Sequence, residues 1–110
     1  MRAVVVAAIV GLMACGDPTG GSMDGPTLFA QLCAPCHGPR GQPPGAMVAR
    51  LGVKDLTSPE LRKKLTPMFV ENQVHNGSKN KLMPAFDGTS VNDAQIRAVS
   101  MWVASPEFLK

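Results

Sequence analysis

Two cysteines and a histidine within five consecutive positions are the residues of this chain best suited to chemistry. The segment reads Cys33-Ala34-Pro35-Cys36-His37. Two thiols three residues apart on one turn of chain can each add to a vinyl group of the same cofactor. The histidine that follows at once is then carried beneath the metal. This spacing is typical of covalent c-type haem attachment, with Cys33 and Cys36 as the attachment points and His37 as the proximal iron ligand.

Three other kinds of site use cysteines in this way, and each fits the chain less well. A thioredoxin-type redox pair is expected in a βαβ setting, and the sequence has no alternation typical of strands. A structural zinc site needs four ligands, and only His75 remains as a plausible further one. A plain disulfide leaves His37 without a role. Haem attachment is therefore the favoured interpretation.

Short helices between loops rich in glycine and proline are predicted to position these residues. A first helix is expected to begin near Gly25-Pro26 and to run into Cys33. Residues 38–52 contain four glycines and three prolines, which predicts a loop without a long regular element. Two further helices are expected to start at Thr57-Ser58-Pro59 and at Thr66-Pro67. The second of them should end at Asn76-Gly77.

The last helix has the clearest starting signal. Asn92 is the predicted N-cap, Gln95 completes a capping box, and Val91 can pack against Ile96. The preceding residues 78–91 are predicted to be irregular and contain Met83-Pro84. The fold class is therefore all-α. Since the sequence has only four phenylalanines, one tryptophan and no tyrosine, a large apolar cofactor is expected to supply the centre of so small a domain.

The N-terminus predicts export. Met1-Arg2 precedes an apolar run over residues 3–14, which is shorter than the roughly 20 residues of a membrane span and is typical of a signal peptide. Leu12-Met13-Ala14-Cys15 resembles the bacterial lipobox, which implies that Cys15 carries lipid after processing. We therefore predict a signal peptide at 1–14, a flexible tether at 15–24 and a domain at 25–110. The protein is expected on the periplasmic side of a bacterial membrane, held there by its lipid.

From residue 25 to about residue 104 the chain resembles the class I (monohaem) cytochrome c family. The resemblance includes Gly25 and Phe29 before the attachment motif, the loop around Met83-Pro84, and Trp102 in the last helix. It implies a small cytochrome c-like fold of three to four helices around one covalently bound haem c. It also implies that Gly25, Phe29 and Trp102 form a contact between the first and last helices.

The resemblance identifies Met83 as the distal iron ligand, since a thioether is a soft donor that favours reduced iron. Met68 and Met101 are explained by packing on their helices, whereas Met47, expected in a loop, remains a competitor. A haem with two histidines would use His75 instead. In the family a proline carbonyl orients the proximal histidine, and Pro43 or Pro44 is the candidate here.

The predicted function is an electron carrier and not an enzyme, because both axial positions of the iron are filled by the protein. The alternatives are a haem-based sensor or peroxidase-like enzyme with a labile Met83, and a fixed subunit of a larger oxidoreductase. Expected partners are redox proteins and the membrane surface, with the protein as a monomer. The formal charge of +3 is too small to indicate nucleic-acid binding.

Basic residues are predicted to form solvated faces. Lys79 and Lys81, near Met83, are candidates for steering an acidic redox partner. The run Arg62-Lys63-Lys64 is expected to be solvated, and Arg40 is a candidate to pair with a haem propionate.

Overall fold

The computed structural model describes residues 19–86 and 91–110. The predicted signal peptide, Cys15 and the first part of the predicted tether lie outside these residues. Six α-helices occur in the described part, and no strand. They are α1 (Gly25–Leu32), α2 (Ala34–His37), α3 (Gly45–Leu51), α4 (Pro59–Arg62), α5 (Pro67–Asn76) and α6 (Asp93–Ala104), followed by a 3-10 turn at Pro106–Leu109. None of these helices combines the length and the apolar character needed to cross a membrane.

The all-α prediction is confirmed, but the expected three to four helices are too few. Helix α3 lies inside the segment predicted to be a loop. Its seven residues include the good helix formers Ala, Met, Arg and Leu. The prolines end at Pro44, which serves as N-cap, and Gly52 takes the left-handed conformation at the C-cap. Proline and glycine therefore bound a two-turn helix there.

The predicted starts of α5 and α6 are confirmed, because the predicted N-cap side chains make their capping hydrogen bonds. Thr66 Oγ1 accepts a hydrogen bond from Phe69 N at the start of α5. At α6 the side chain of Asn92 accepts from Gln95 N, and Asn92 N donates to Gln95 Oε1, which completes the capping box. Each cap satisfies backbone N–H groups that have no partner within the helix.

The core lies where α1 and α5 pack on α6. A Cβ atom on Gly25 would lie 2.6 Å from Cβ of Trp102, so the predicted close approach of the first and last helices is confirmed. Phe108, from the 3-10 turn, fills the same region, with its ring centroid 5.0 Å from that of Phe29 and 6.1 Å from that of Trp102. The 3-10 turn thus contributes Phe108 to the contact between α1 and α6. The buried apolar side chains are Leu28, Phe29, Leu65, Val70, Val74, Val91, Ile96, Val99, Val103 and Phe108.

Arg62 does not belong to a solvated face, which corrects the prediction for this residue. Its guanidinium donates to Val103 O at 2.7 Å and to Ser105 O at 3.1 Å. The same group lies 5.4 Å from the ring centroid of Phe108. Arg62 therefore satisfies carbonyls at the C-terminal end of α6, where helical partners run out. Lys63 and Lys64 are exposed.

The described part of the predicted tether is docked on α6. Gln95, 1% exposed, donates from its amide to Thr19 Oγ1 at 2.9 Å and to Ser22 O at 2.8 Å. Thr19 is itself buried. From Thr19 onward the N-terminal arm is thus part of the folded body.

Candidate functional site

The attachment motif occupies the junction of α1 and α2. Cys33 is the C-cap of α1, where its backbone N–H donates to Phe29 O at 2.9 Å. His37 N donates to Cys33 O at 2.9 Å, which closes the single turn of α2. Both cysteines are free thiols and half-buried. The turn therefore brings both sulfurs and the imidazole to one end of α1.

The Cys33 thiol is held in its neutral form. Burial, and the neighbouring Cys36 thiol, raise the pKa of Cys33 to about 12. Thiol–disulfide exchange requires a thiolate as the attacking group. Cys33 is therefore a poor attacking group for such exchange.

The ring of His37 has a fixed orientation and a fixed tautomer. Its Nδ1 lies 3.0 Å from Lys54 O. Because a carbonyl can only accept, Nδ1 carries the proton and the lone pair of Nε2 is free for a metal. Burial lowers the pKa of His37, against the opposing effect of this hydrogen bond. The neutral imidazole is the form that binds iron.

The carbonyl that orients His37 belongs to Lys54 and not to Pro43 or Pro44, the two candidates considered for this role. The carbonyl of Pro44 instead accepts from Met47 N at 2.9 Å and Val48 N at 3.1 Å, as the first acceptor of α3. The chain returns to His37 only after α3 has ended, so Lys54 supplies the carbonyl. A backbone carbonyl has no side-chain signature, and the sequence could not identify it.

The loop carrying Met83 is attached to the end of α5. Ser78 N donates to Met83 O at 3.1 Å, and Met83 N donates to Ser78 Oγ at 3.0 Å. Phe86 N donates to Val74 O at 2.8 Å. Met83 is half-buried against the core, and its Sδ lies 3.9 Å from Gln73 Nε2. The thioether thus has a defined position, and Gln73 is a neighbour that the sequence did not indicate.

The other methionines and His75 occupy different settings. Met68 and Met101 are 72% and 57% exposed, so the prediction that packing explains them is wrong. Met47 lies on α3 and not in a loop, and it is half-buried. His75 Nε2 lies 3.4 Å from Asp93 Oδ1, between the end of α5 and the start of α6. His75 therefore has a local polar partner.

The basic side chains considered for a haem propionate or an acidic redox partner are all exposed: Arg40, Lys79 and Lys81. Arg40 lies at an open cleft of about 380 Å³ together with Phe29, Trp102 and Lys110. Lys79 and Lys81 belong to the loop that leads to Met83. No acidic partner of these three side chains is found in the described residues.

The donor set fits a covalently bound haem. It offers two free thiols on one turn, an imidazole with its Nε2 lone pair free, and a thioether in a hydrogen-bonded loop. These are the groups that attach haem c and ligate its iron. In residues 19–86 and 91–110, no three side chains of His, Cys, Asp or Glu come together as a metal site made of those residue types alone.

Comparison with known proteins agrees with this chemistry. The family model described as cytochrome C oxidase, cbb3-type, subunit III matches residues 22–103. A solved structure described as KustC0563 c-type cytochrome superposes with a TM-score of 0.65 and 25% sequence identity, covering 79% of this chain and 99% of that chain. No curated protein matches the sequence significantly.

Proposed function

Since the chain belongs to the monohaem cytochrome c family, we propose that it is a membrane-tethered electron carrier whose haem iron is ligated by His37 and Met83. Covalent haem c and electron transfer are properties of the family. The axial ligand pair, the attachment through Cys33 and Cys36, and the tether are the proposals made for this chain. The single observation that carries the haem proposal is the His37 ring, oriented by Lys54 O, in the same turn as two free thiols.

The residues around the iron would have complementary tasks. The bound haem supplies one-electron exchange between ferric and ferrous iron. Cys33 and Cys36 hold it covalently, and His37 donates Nε2 while Lys54 O keeps its ring in place. Met83 would be the second side-chain ligand, and a thioether would favour the reduced state. With two side chains bound to the iron, no site for a substrate would be left on it, which suits a carrier.

The docked N-terminal arm supports a short tether. If Cys15 carries lipid, only Gly16, Asp17 and Pro18 separate it from the docked Thr19. Four residue steps span at most about 14 Å of extended chain. The domain would therefore stay close to the membrane surface instead of swinging on a ten-residue tether. Its redox partner should then present its electron-transfer site at that surface.

The second candidate is a fixed subunit of a larger oxidoreductase, because the matching family is named for an oxidase subunit. Purification from native membranes under mild detergent separates the two. A carrier is recovered mainly alone. A fixed subunit is recovered in constant proportion with the same large partner.

Spectra of methionine variants test the axial ligands. The protein is made in a host competent for haem ligation, and Met83→Ala is compared with Met47→Ala and with the exposed control Met101→Ala. Met83→Ala should lose the methionine-to-iron charge-transfer band of the ferric form and should bind carbon monoxide when reduced. Retention of the band in Met83→Ala, with its loss in Met47→Ala, would contradict the assignment.

Mass spectrometry of the mature N-terminus tests the tether. The wild type should be found in membranes with a diacylglyceryl group on Cys15, and Cys15→Ala should be found in the soluble periplasmic fraction. A mature protein that is released with no modification at Cys15 would refute the lipid anchor. The haem assignment does not depend on that result.

A further inference from the structure

We propose that Asp55 and Thr57 are positioning residues for His37: their side chains fix the Lys54 carbonyl that orients the imidazole, and they thereby lower the reduction potential of the iron. The inference rests on the proposed ligation of iron by His37. Neither residue touches the histidine. Both act through the one backbone group that does.

The Lys54 carbonyl belongs to a segment without regular structure. Residues 52–55 lie between α3 and the turn before α4, and Lys54 itself is exposed. No helical hydrogen bonds therefore restrain this peptide group. Its orientation has to come from neighbouring contacts.

Asp55 supplies the first of these contacts. Its Oδ1 accepts from Thr57 N at 2.8 Å and from Thr57 Oγ1 at 2.6 Å, which closes an Asx turn. The Lys54 carbonyl and the Asp55 N–H share one planar peptide unit. Anchoring Asp55 therefore limits how far this peptide unit, and with it the carbonyl oxygen that accepts from His37, can move.

Two further bonds hold the turn against the body of the protein. Leu56 N donates to Gly41 O at 2.8 Å, and the Leu56 side chain packs on the core. Gln42 Nε2 donates to Thr57 Oγ1 at 3.4 Å. The turn is thus hydrogen-bonded to the segment that follows His37. The Lys54 carbonyl and the His37 ring are therefore both held by the same part of the protein.

The electronic consequence follows from the hydrogen bond itself. An imidazole that donates its second N–H to a carbonyl becomes a more basic ligand. A more basic ligand stabilises ferric iron relative to ferrous iron, which lowers the reduction potential. Loosening the turn should weaken that bond and raise the potential.

Four variants separate positioning from plain charge. Asp55→Ala removes the acceptor, Asp55→Asn removes the charge but keeps an oxygen, Thr57→Val removes the hydroxyl at constant shape, and Thr57→Ser keeps it. The matched control is Thr27→Val, because Asp24 Oδ2 accepts from Thr27 N at 3.1 Å and Thr27 Oγ1 at 2.6 Å at the start of α1. This N-cap pairs the same two residue types through the same kinds of bonds, at the start of α1 and not in the segment that contains Lys54.

Two measurements on the haem-loaded protein are needed. One is the reduction potential at high salt, where effects of exposed charges are screened. The other is the rate at which the His37 Hδ1 proton of the ferrous form exchanges with solvent, measured by NMR. We expect Asp55→Ala and Thr57→Val to raise the potential and to speed the exchange severalfold, with Thr57→Ser and Thr27→Val unchanged.

The outcomes are distinguishable. The proposal is overturned if Asp55→Ala and Thr57→Val leave both quantities at the wild-type values, or if the two Asp55 variants shift the potential equally while Thr57→Val leaves it unchanged, because that pattern follows the charge and not the turn. An equal shift in Thr27→Val would also overturn it. Failure of the proposed function looks different, because the wild type would then lack the spectrum of histidine-ligated haem altogether.

Discussion

Replacing Gly77 by alanine should disrupt the loop that carries Met83. Gly77 has φ 67° and ψ −169°, a backbone region that is nearly exclusive to glycine and costs other residues about 1–3 kcal/mol. The added Cβ would lie 2.6 Å from Met83 O and 2.9 Å from Ala85 N. These are backbone atoms, so the loop has to move.

The size of the effect follows from the bonds that such a movement breaks. Ser78 makes two hydrogen bonds to the backbone of Met83, and each contributes about 1 kcal/mol net. Together with the backbone cost, the free energy of unfolding should fall by about 3–5 kcal/mol. For a domain of this size, about 1 kcal/mol lowers Tm by about 4–8 °C.

Gly52→Ala is the matched control. Gly52 has φ 64° and ψ 32° at the C-cap of α3, and an added Cβ would meet nothing within 4 Å. Only the left-handed conformation is then penalised, by about 1–2 kcal/mol. The difference between the two variants therefore measures the collision with the Met83 loop.

Thermal unfolding followed by far-UV circular dichroism, with the ferric charge-transfer band recorded on the same samples, provides the assay. Gly77→Ala should lower Tm more than Gly52→Ala does and should weaken the band, whereas Gly52→Ala should leave the band intact. Equal Tm values for the two variants, with the band retained in both, would refute the reasoning from backbone contact.

Three further variants test the packing and the turn. Arg62→Ala should lose about 3 kcal/mol of unfolding free energy, since removing the guanidinium leaves the carbonyls of Val103 in α6 and of its C-cap Ser105 without this donor. Chemical denaturation checks this, with Lys63→Ala as the near-neutral control. Ser100→Ala should gain about 1 kcal/mol in the same assay, because the buried hydroxyl has no hydrogen-bond partner among residues 19–86 and 91–110. A loss of stability would contradict this. Hydrogen bonds from the Thr57 side chain and backbone lower the pKa of Asp55. The stability advantage of wild type over Asp55→Asn should therefore be full at neutral pH and shrink as pH falls below about 4, whereas a pH-independent gap in denaturation series would contradict the carboxylate bonding.

The haem-attachment motif and the starts of α5 and α6 could be predicted from short stretches of sequence. The attachment motif and the cap of α5 at Thr66 are determined by residues within a few positions of one another, as is the capping box at Asn92 and Gln95. Their physics is short-range, since a side chain bonds a backbone N–H two or three residues away. The all-α class and the order of helices around the motif were therefore predicted from the sequence. Helix α3 was missed, because the prolines and glycines of residues 38–52 indicated a loop and the seven-residue helix lies between them.

Contacts between distant parts of the chain were decided only by the tertiary structure. Lys54 meets His37 across 17 residues, Arg62 meets Val103 across 41, and Gln95 meets Thr19 across 76. Two of these contacts end on backbone carbonyls, which every residue possesses, so residue type alone could not select the partner. The path of the whole chain, including the segment between α3 and α4 that carries Lys54, determines which carbonyl lies within reach.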